Sequence, residues 1–454
     1  MQLISKFALK KEYHNQNPMK QTFLLAMMLL LACVSFAQIG ITSSGAFTGY
    51  TPSAATGINT IYLCNGMEGV TLSFSGNAPA NVTWSRYKYA LSDAVVLKTE
   101  NSVTASSISG LQEGYGYVLN VDGKQTCVWL IDYALYPVSF QSLTFDTDTS
   151  VVDLCSVSKL QLQLTAPELA FYTAGGTKQV LNREFTLLYD QLEWDSETLV
   201  YKKIQQTQKE LLSAPQATIF AGAPYCSTTF TIQGDQFAKA LGIERTISSA
   251  VYQPWAVITN PTTEMEERDN PNETKDEVEL GGSGPVKIQF TANANEEAVN
   301  QYEWEFSDES SFSKIDLRFA SPTMSTLTHT FSEAGSKSVR LIASNKYCVD
   351  STSVFTVKVS DSFLDVPNFF TPGTTPDVND EFRVVYKSLV KFHGAIVNRW
   401  GVKLFEWNDP SKGWDGKYNG SYVKPGAYFY FIEATGSDGK KYSLKGDVNI
   451  LTTD

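Results

Sequence analysis

Apolar and polar positions alternate in short runs along most of the chain, and clusters of Gly, Asn, Asp and Ser interrupt the runs. Val70-Thr71-Leu72-Ser73-Phe74 precedes Ser75-Gly76-Asn77, and Leu160, Leu162 and Leu164 alternate with glutamines. A period of two marks strands with one buried and one wet face, and repeated turn clusters between such strands predict β-sandwiches. Residues 115–121 and 126–129 flank a turn at Asp122-Gly123, a dipeptide that accepts the positive φ of a tight hairpin. Residues 196–213 are open between two elements. Val200, Ile204 and Leu211 fit a helical face, whereas Leu199-Val200-Tyr201 fits a strand. The expected class is all-β, built from tandem sandwiches.

The sequence has 454 residues, and domains of about 100 to 150 residues predict three or four units. Residues 23–36 form an apolar stretch that follows Lys20 and ends at Ser35-Phe36-Ala37, the layout of an export signal cleaved after Ala37. Such a stretch is shorter than the roughly 20 residues that cross a bilayer as a helix. A competing reading attaches lipid at Cys33, because Leu30-Leu31-Ala32-Cys33 loosely resembles a lipoprotein cleavage box. Residues 1–18 precede this signal and receive no structural role. The expected units are then 38–137, 138–260, an acidic linker over 261–284, 285–360 and 361–454.

Charge removes one class of partner. Residues 1–37 hold four Lys and one Glu, so the formal charge of −12 becomes −15 after cleavage. Phosphate backbones are bound chiefly by Lys and Arg, and nucleic acid is not an expected partner. Residues 261–280 carry eight acidic and two basic side chains with two prolines, which reads as a solvated linker.

Cleavage leaves Cys64, Cys127, Cys155, Cys226 and Cys348. None forms a C-x-x-C pair, so zinc spacing is absent and disulfides of an exported protein are expected instead. The natural pairs in sequence order are Cys64 with Cys127 and Cys155 with Cys226. Cys348 is left over, either as a buried thiol or as a link between molecules. Cys64, Trp84 and Cys127 resemble the Cys-Trp-Cys core of immunoglobulin-like domains.

In the third unit, Tyr302, Trp304 and Phe306 share one strand face, while Glu303 and Glu305 point the other way. With Asp308, His329-Thr330-Phe331 and the Glu333-Ala334-Gly335 turn, the segment resembles a PKD domain. That resemblance implies a small sandwich acting as spacer or adhesive module, with His329 packed as a structural residue.

The last unit carries the fullest set of motifs. Pro367-Asn368-Phe369-Phe370-Thr371-Pro372 opens it, and Asn379-Asp380-Glu381-Phe382 follows. Asn398-Arg399-Trp400-Gly401, Gly413-Trp414-Asp415-Gly416, Pro425-Gly426-Ala427-Tyr428-Phe429-Tyr430 and Gly446 complete the series. These residues resemble the gliding-motility-associated C-terminal domain, the type B sorting domain of the type IX secretion system. The resemblance implies a sandwich at the end of the sequence that is recognised by the type IX translocon and its sorting-domain receptor. Two hairpins are expected, 392–407 around Gly401 and 428–450 around Asp438-Gly439; residues 428–434 are apolar on both faces and so should be central and buried. Gly373-Thr374-Thr375-Pro376-Asp377 stands where relatives carry an Asn-Gly-Asp-Gly run. A calcium ion would have Asp377, Asn379 and Asp380 as its candidate ligands, and a structural turn is the preferred reading.

Chemistry lacks its usual supports. Cleavage leaves only His329 and His393 as histidines, and neither a Gly-x-Ser-x-Gly elbow, a His-Glu-x-x-His pair nor a phosphate-cradling glycine loop is present. The expected protein is therefore non-catalytic, needs no cofactor, and resides at the cell surface or outside the cell. Its N-terminal sandwiches bind a surface protein or glycan, adhesin-like, and membrane contact is limited to export or later attachment. The alternative is a structural subunit of a surface assembly, joined through Cys348 or an edge strand, and the third reading is a secreted hydrolase working through a pair of carboxylates that meet in space.

Overall fold

The computed structural model describes residues 39–451 except 149, 151, 213–214, 352–353 and 374–377. The export signal, Cys33 and Asp377 lie outside the described residues. Among the described residues no helix is long and apolar enough to cross a membrane.

The first unit is a seven-stranded sheet in which Thr71–Tyr87 pairs with Val95–Ile108 on one side and with Gly40–Thr42 and Tyr115–Val121 on the other. Leu72 and Phe74 from one half of Thr71–Tyr87, and Val82 and Trp84 from the other, enter the same core cluster. The strand therefore bends over residues 75–81, where its register shifts, and brings the sheet back over its own core. Asp122 and Gly123 have φ of 47° and 87°, as the expected tight turn requires.

The second unit is a sandwich of two sheets. Val157–Thr165 lies between Ser139–Phe145 and Gln216–Gly222; facing it are Val200–Leu211, Glu184–Asp195, Thr228–Gln233 and Thr246–Tyr252 in that order. Leu160, Leu162, Leu164, Phe185, Leu187, Phe230 and Ile232 fill the space between. The ambiguous segment is thus a strand, paired from Asp195↔Val200 to Glu184↔Leu211. A helix there would have found no core, since Val200 and Leu211 remain exposed.

The first two units share an interior. Leu169 and Phe171 from a hairpin, and Phe237, Ala238 and Leu241 at the helix Gln236–Ala240, pack on Ile61, Leu63, Trp129 and Ile131 of the first sheet. Asp235 caps that helix by accepting from the Phe237 and Ala238 N–H groups at 3.0 and 2.8 Å. The same fully buried carboxylate pairs with Arg183 at 3.2 Å and accepts from the Tyr133 hydroxyl at 2.9 Å.

The cysteines depart from the expected pairing. Cys155 is bonded to Cys348, joining the second unit to the third across 193 positions, while Cys64, Cys127 and Cys226 are free and buried. Cys64 and Cys127 sit on adjacent parallel strands, but Cys64 faces one core cluster and Cys127 the other, through opposite sides of the sheet. Cys127 lies beside Asn59, five positions from Cys64 and so about 16 Å along the strand, well beyond disulfide reach. Burial pushes both thiols up to about 11, Asp132 adding to the effect at Cys64. Cys226 is buried inside the second unit, whereas Cys155 turns outward to the third, its Sγ 3.4 Å from the Tyr347 carbonyl. Trp84 is fully buried without a disulfide behind it; its Nε1 donates to Ser106 Oγ at 2.9 Å.

In the third unit Tyr302, Trp304 and Phe306 enter the core with Phe290 and Phe331, as the alternation requires. His329 packs against Phe306 and Phe331 with ring centroids 4.7 and 4.8 Å away. Glu305 is on the opposite strand face yet only 1% exposed, because Arg340 and Arg318 close over it at 2.6 and 2.5 Å. Burial opposes its ionisation, but hydrogen bonds and charge from the two arginines outweigh that and hold the carboxyl below its usual range.

Residues 261–284 are not a solvated linker. Thr262–Met265 adds to the third unit's sheet beside Val286–Thr291, and Gly281–Gly282 pairs in parallel with Val354–Val359. Between them the chain crosses to the last unit. Asn272 Nδ2 donates to the Val384 and Pro410 carbonyls at 2.8 and 2.7 Å, and buried Glu273 is paired with Arg268 at 2.9 Å. Most of the acidic side chains here remain exposed, while Glu273 is buried against Arg268 and Tyr386, and Asp276 meets Lys387 at 2.9 Å.

Candidate functional site

The last unit is a five-stranded sheet ordered Phe369–Phe370, Lys441–Ile450, Gly426–Gly436, Leu389–Val397 and Lys403–Trp407. Its inner face is covered by the loops that carry most of the motif residues. Phe370, Phe382 and Trp414 have no exposed surface, and their rings pack in sequence, Phe370 lying 6.2 Å from Phe382 and 5.6 Å from Trp414. Tyr430 packs on Phe382 at 5.8 Å and Tyr428 on Trp414 at 5.5 Å. Phe382 and Trp414 also exchange backbone hydrogen bonds of 2.9 and 3.1 Å, an isolated bridge that fixes both loops. Trp414 Nε1 donates to the Lys417 carbonyl at 2.9 Å, so the indole is buried without an unpaired donor.

The glycines and polar motif residues shape these loops. Gly416 has φ 75°, and a Cβ there would stand 2.9 Å from the Pro372 ring, so only glycine lets the loop close on Phe370 and Pro372. Asp415 accepts from the Lys417 N–H at 3.0 Å in the same turn. The Asn368 carbonyl accepts from the Asn449 N–H at 2.9 Å, seating the opening strand beside Lys441–Ile450. Pro367 and Pro425 stand just ahead of strands, where a missing N–H costs no ladder bond. Asn379 has φ 60° and its carbonyl accepts from the Thr371 N–H at 2.9 Å; Asp380 follows it at the loop's return. With Asp377 outside the described residues, the three candidate ligands are not all placed. Among the described residues no group of three His, Cys, Asp or Glu side chains is arranged to hold a metal.

Other residues face outward. The Asn398 side chain accepts from the Trp400 and Val402 N–H groups, both at 3.0 Å, and Gly401 at φ 78° completes the turn. The turn is held by Asn398 and not by Trp400, which is 78% exposed with Arg399 stacked 5.2 Å from its ring. The strand Gly426–Gly436 is central, as its apolar run requires, but it is not buried on both faces. Ile432 and Ala434 point into the core, while Phe429 and Phe431 are 40% and 50% exposed on the outer face. Periodicity shows two apolar faces; it does not show whether a second layer exists to cover the outer one.

The electrostatics suit docking more than chemistry. Residues 361–454 hold eleven basic and twelve acidic side chains, against an overall charge of −12 for the chain. His393 lies exposed beside Asn408, its Nδ1 2.8 Å from Oδ1, at the rim of the sheet. Its Nε2 lies 3.5 Å from Glu406 Oε1, and both side chains are about half exposed.

Comparison with protein families places two of the four units. Residues 364–450 match the CHU_C type IX secretion signal domain, and residues 147–249 match a fibronectin type III domain. The second match coincides with the three-plus-four-stranded sandwich. No curated protein matches the chain. Among solved structures, the chicken CNTN1 FN1-FN3 domains are 11% identical with a TM-score of 0.25, covering 69% of this chain and 97% of that one. Dimeric latent PorU from Porphyromonas gingivalis is 11% identical with a TM-score of 0.16, covering 73% of this chain and 36% of that one. Alpha-2-macroglobulin from Escherichia coli is 10% identical with a TM-score of 0.16, covering 92% of this chain and 44% of that one. At such scores a likeness specifies no shared arrangement. A type IX signal implies contact with the type IX machinery and export to the cell surface or beyond it. Residues 364–450 are therefore a type IX secretion signal domain, carried behind tandem immunoglobulin-like β-sandwiches of which residues 147–249 are of the fibronectin type III kind.

Proposed function

We propose that this chain is a non-catalytic cell-surface or extracellular protein whose N-terminal sandwiches bind a surface protein or glycan, while the third unit acts as spacer and the signal domain directs export. The observation that carries this reading is the signal domain set behind sandwiches of a non-catalytic kind. Deletion of residues 364–454 is the test of export. The truncated protein is expected to stay in the periplasm, and release at the level of the full chain would refute the role assigned to the domain.

A specific observation favours a second reading, a subunit of a surface assembly. Among the described residues Val95–Ile108 pairs only with Thr71–Tyr87, so its other edge is open, and Val95, Val96 and Leu97 are all exposed along it. An open apolar edge is a template for another strand. The route through Cys348 is closed, because that sulfur is bonded to Cys155. Light scattering on the exported protein, alongside a glycan and surface-protein array, separates the two readings. A monomer that captures a glycan or surface protein fits the binder; a polymer dissolved by Val96→Lys fits the assembly.

A further inference from the structure

We infer that the outer face of the signal domain's sheet, centred on Phe429 and Phe431 and continuing to the Trp400 turn, is the surface by which a protein of the export machinery takes hold of this chain. The inference rests on the export reading above and adds the place of contact.

The outer face of a single sheet in water is ordinarily polar, and alternation then places charged or hydroxyl side chains there. Along Gly426–Gly436 the outward positions are instead Phe429, Phe431 and then Glu433. Phe429 lies opposite Val397 on one side and Asp447 on the other; Phe431 lies between Ala395 and Lys445. Four apolar side chains thus form one block, with an acidic and a basic group along one flank. The hairpin that leaves Val397 carries Trp400 and Val402, both exposed, so the apolar character continues past the strand end. Single exposed apolar residues need no explanation, but a contiguous aromatic patch beside charged residues marks a protein contact.

Among the described residues the passenger does not cover this patch, because it is attached at the other end of the sheet. Ser388 N donates to Ser283 Oγ at 2.8 Å, Ser437 Oγ to the Ser360 carbonyl at 3.0 Å, and Lys387 Nζ to Asp276 at 2.9 Å. Leu389↔Gly436 is the register pair beside that junction and Val397↔Phe429 the pair at the far end, eight residues or about 26 Å away. The aromatic end of the domain therefore points away from the passenger, where a receptor reaches it without meeting the bulky acidic units. The partner that fits is a protein surface with an apolar groove wide enough for two phenylalanine rings, and with charges that complement Lys445 and Asp447.

The test is carried out on the full chain in the cell that exports it. F429S/F431S is expected to lower the exported fraction about tenfold or more, with the variant accumulating in the periplasm as a folded protein that melts within a few degrees of wild type. W400S is expected to lower export in the same direction; its turn is held by Asn398, so loss of export there is not a loss of fold. If F429S/F431S and W400S are exported like wild type while the 364–454 deletion is retained, the surface is wrong and the export reading stands. If the deletion is itself exported, the export reading falls and takes the surface with it. A wild-type dimer that F429S/F431S dissolves would assign the face to a second copy and overturn the inference.

Discussion

Replacing Cys348 with serine is expected to loosen the join between the second and third units and to lower the thermal midpoint of the exported protein by up to about 10 °C. The disulfide closes a loop of 193 positions, and closure of that length restricts the unfolded chain by about 5 kcal/mol in the entropy model. That figure is an upper bound for the junction, because non-covalent contacts also hold the loop ends together. Asn295 Nδ2 donates to the Tyr225 and Ala256 carbonyls, both at 2.8 Å, and Trp255 packs on Tyr347 at 4.9 Å. Ser227 also donates to Glu297, Thr259 to Asp350 and Asn345 to the Trp255 carbonyl, so the covalent link adds to a joint already held by hydrogen bonds and one aromatic pair. Limited proteolysis within residues 250–262 should become faster in Cys348→Ser and in the reduced wild type. Thiol titration gives an independent check: native protein reacts slowly, and the denatured non-reduced mature chain releases three thiols, Cys64, Cys127 and Cys226. Five reactive thiols, or an unchanged midpoint and cleavage rate in Cys348→Ser, would remove the link.

Asp235→Ala is expected to destabilise the second unit and its junction with the first at a cost of about 3–5 kcal/mol. Arg183 is 4% exposed in its side chain and Asp235 not at all, so deleting the carboxylate strands a buried guanidinium. The loss spreads further. Two backbone N–H groups of Gln236–Ala240 lose their cap, a change that costs about 1 kcal/mol by itself. Tyr133 loses its acceptor; burial, and then the Asp235 charge, push its phenol up and keep it a donor in the wild type. Asp235→Asn is the informative comparison, since it keeps an oxygen for the cap and removes only the charge, and it should cost less than the alanine. Urea unfolding followed by tryptophan fluorescence reads the effect, with Trp129, which lies in the shared interior, as one of the reporting indoles. A change below about 1 kcal/mol for the alanine would show that the Asp235 carboxylate, with its bonds to Arg183 and across to Tyr133, contributes little to the junction.

The strands were legible because alternation is a local property. Leu160, Leu162 and Leu164 enter one core as written in the sequence, and so do Tyr302, Trp304 and Phe306. The aromatic series of the signal domain was legible for a related reason: its glycines and tryptophans satisfy steric demands set within a few residues, as at Gly416 against Pro372. What escaped was set by contacts distant in sequence. Order along the chain paired Cys64 with Cys127, and only the register of two parallel strands shows that the thiols face opposite sides of a sheet. Asp235 and Arg183 drew no notice, since one polar residue before a short helix and another after a strand are ordinary until the fold brings them within 3.2 Å. Glu273 lies in a run whose acidity reads as solvated, yet it is buried against Arg268 and Tyr386. A signal was available there: Asn270, Asn272 and Thr274 alternate like a strand edge, and each donates or accepts across to the signal domain.

Two covalent paths, the peptide through residues 253–261 and the Cys155–Cys348 bond, leave the second unit and enter the third at different points. A body attached at one point swivels; a body attached at two resists torsion. A load pulling on the N-terminal sandwiches is consequently passed on as through a stiff lever, and the angle at which they meet a surface is set by the joint and not by thermal rotation about it.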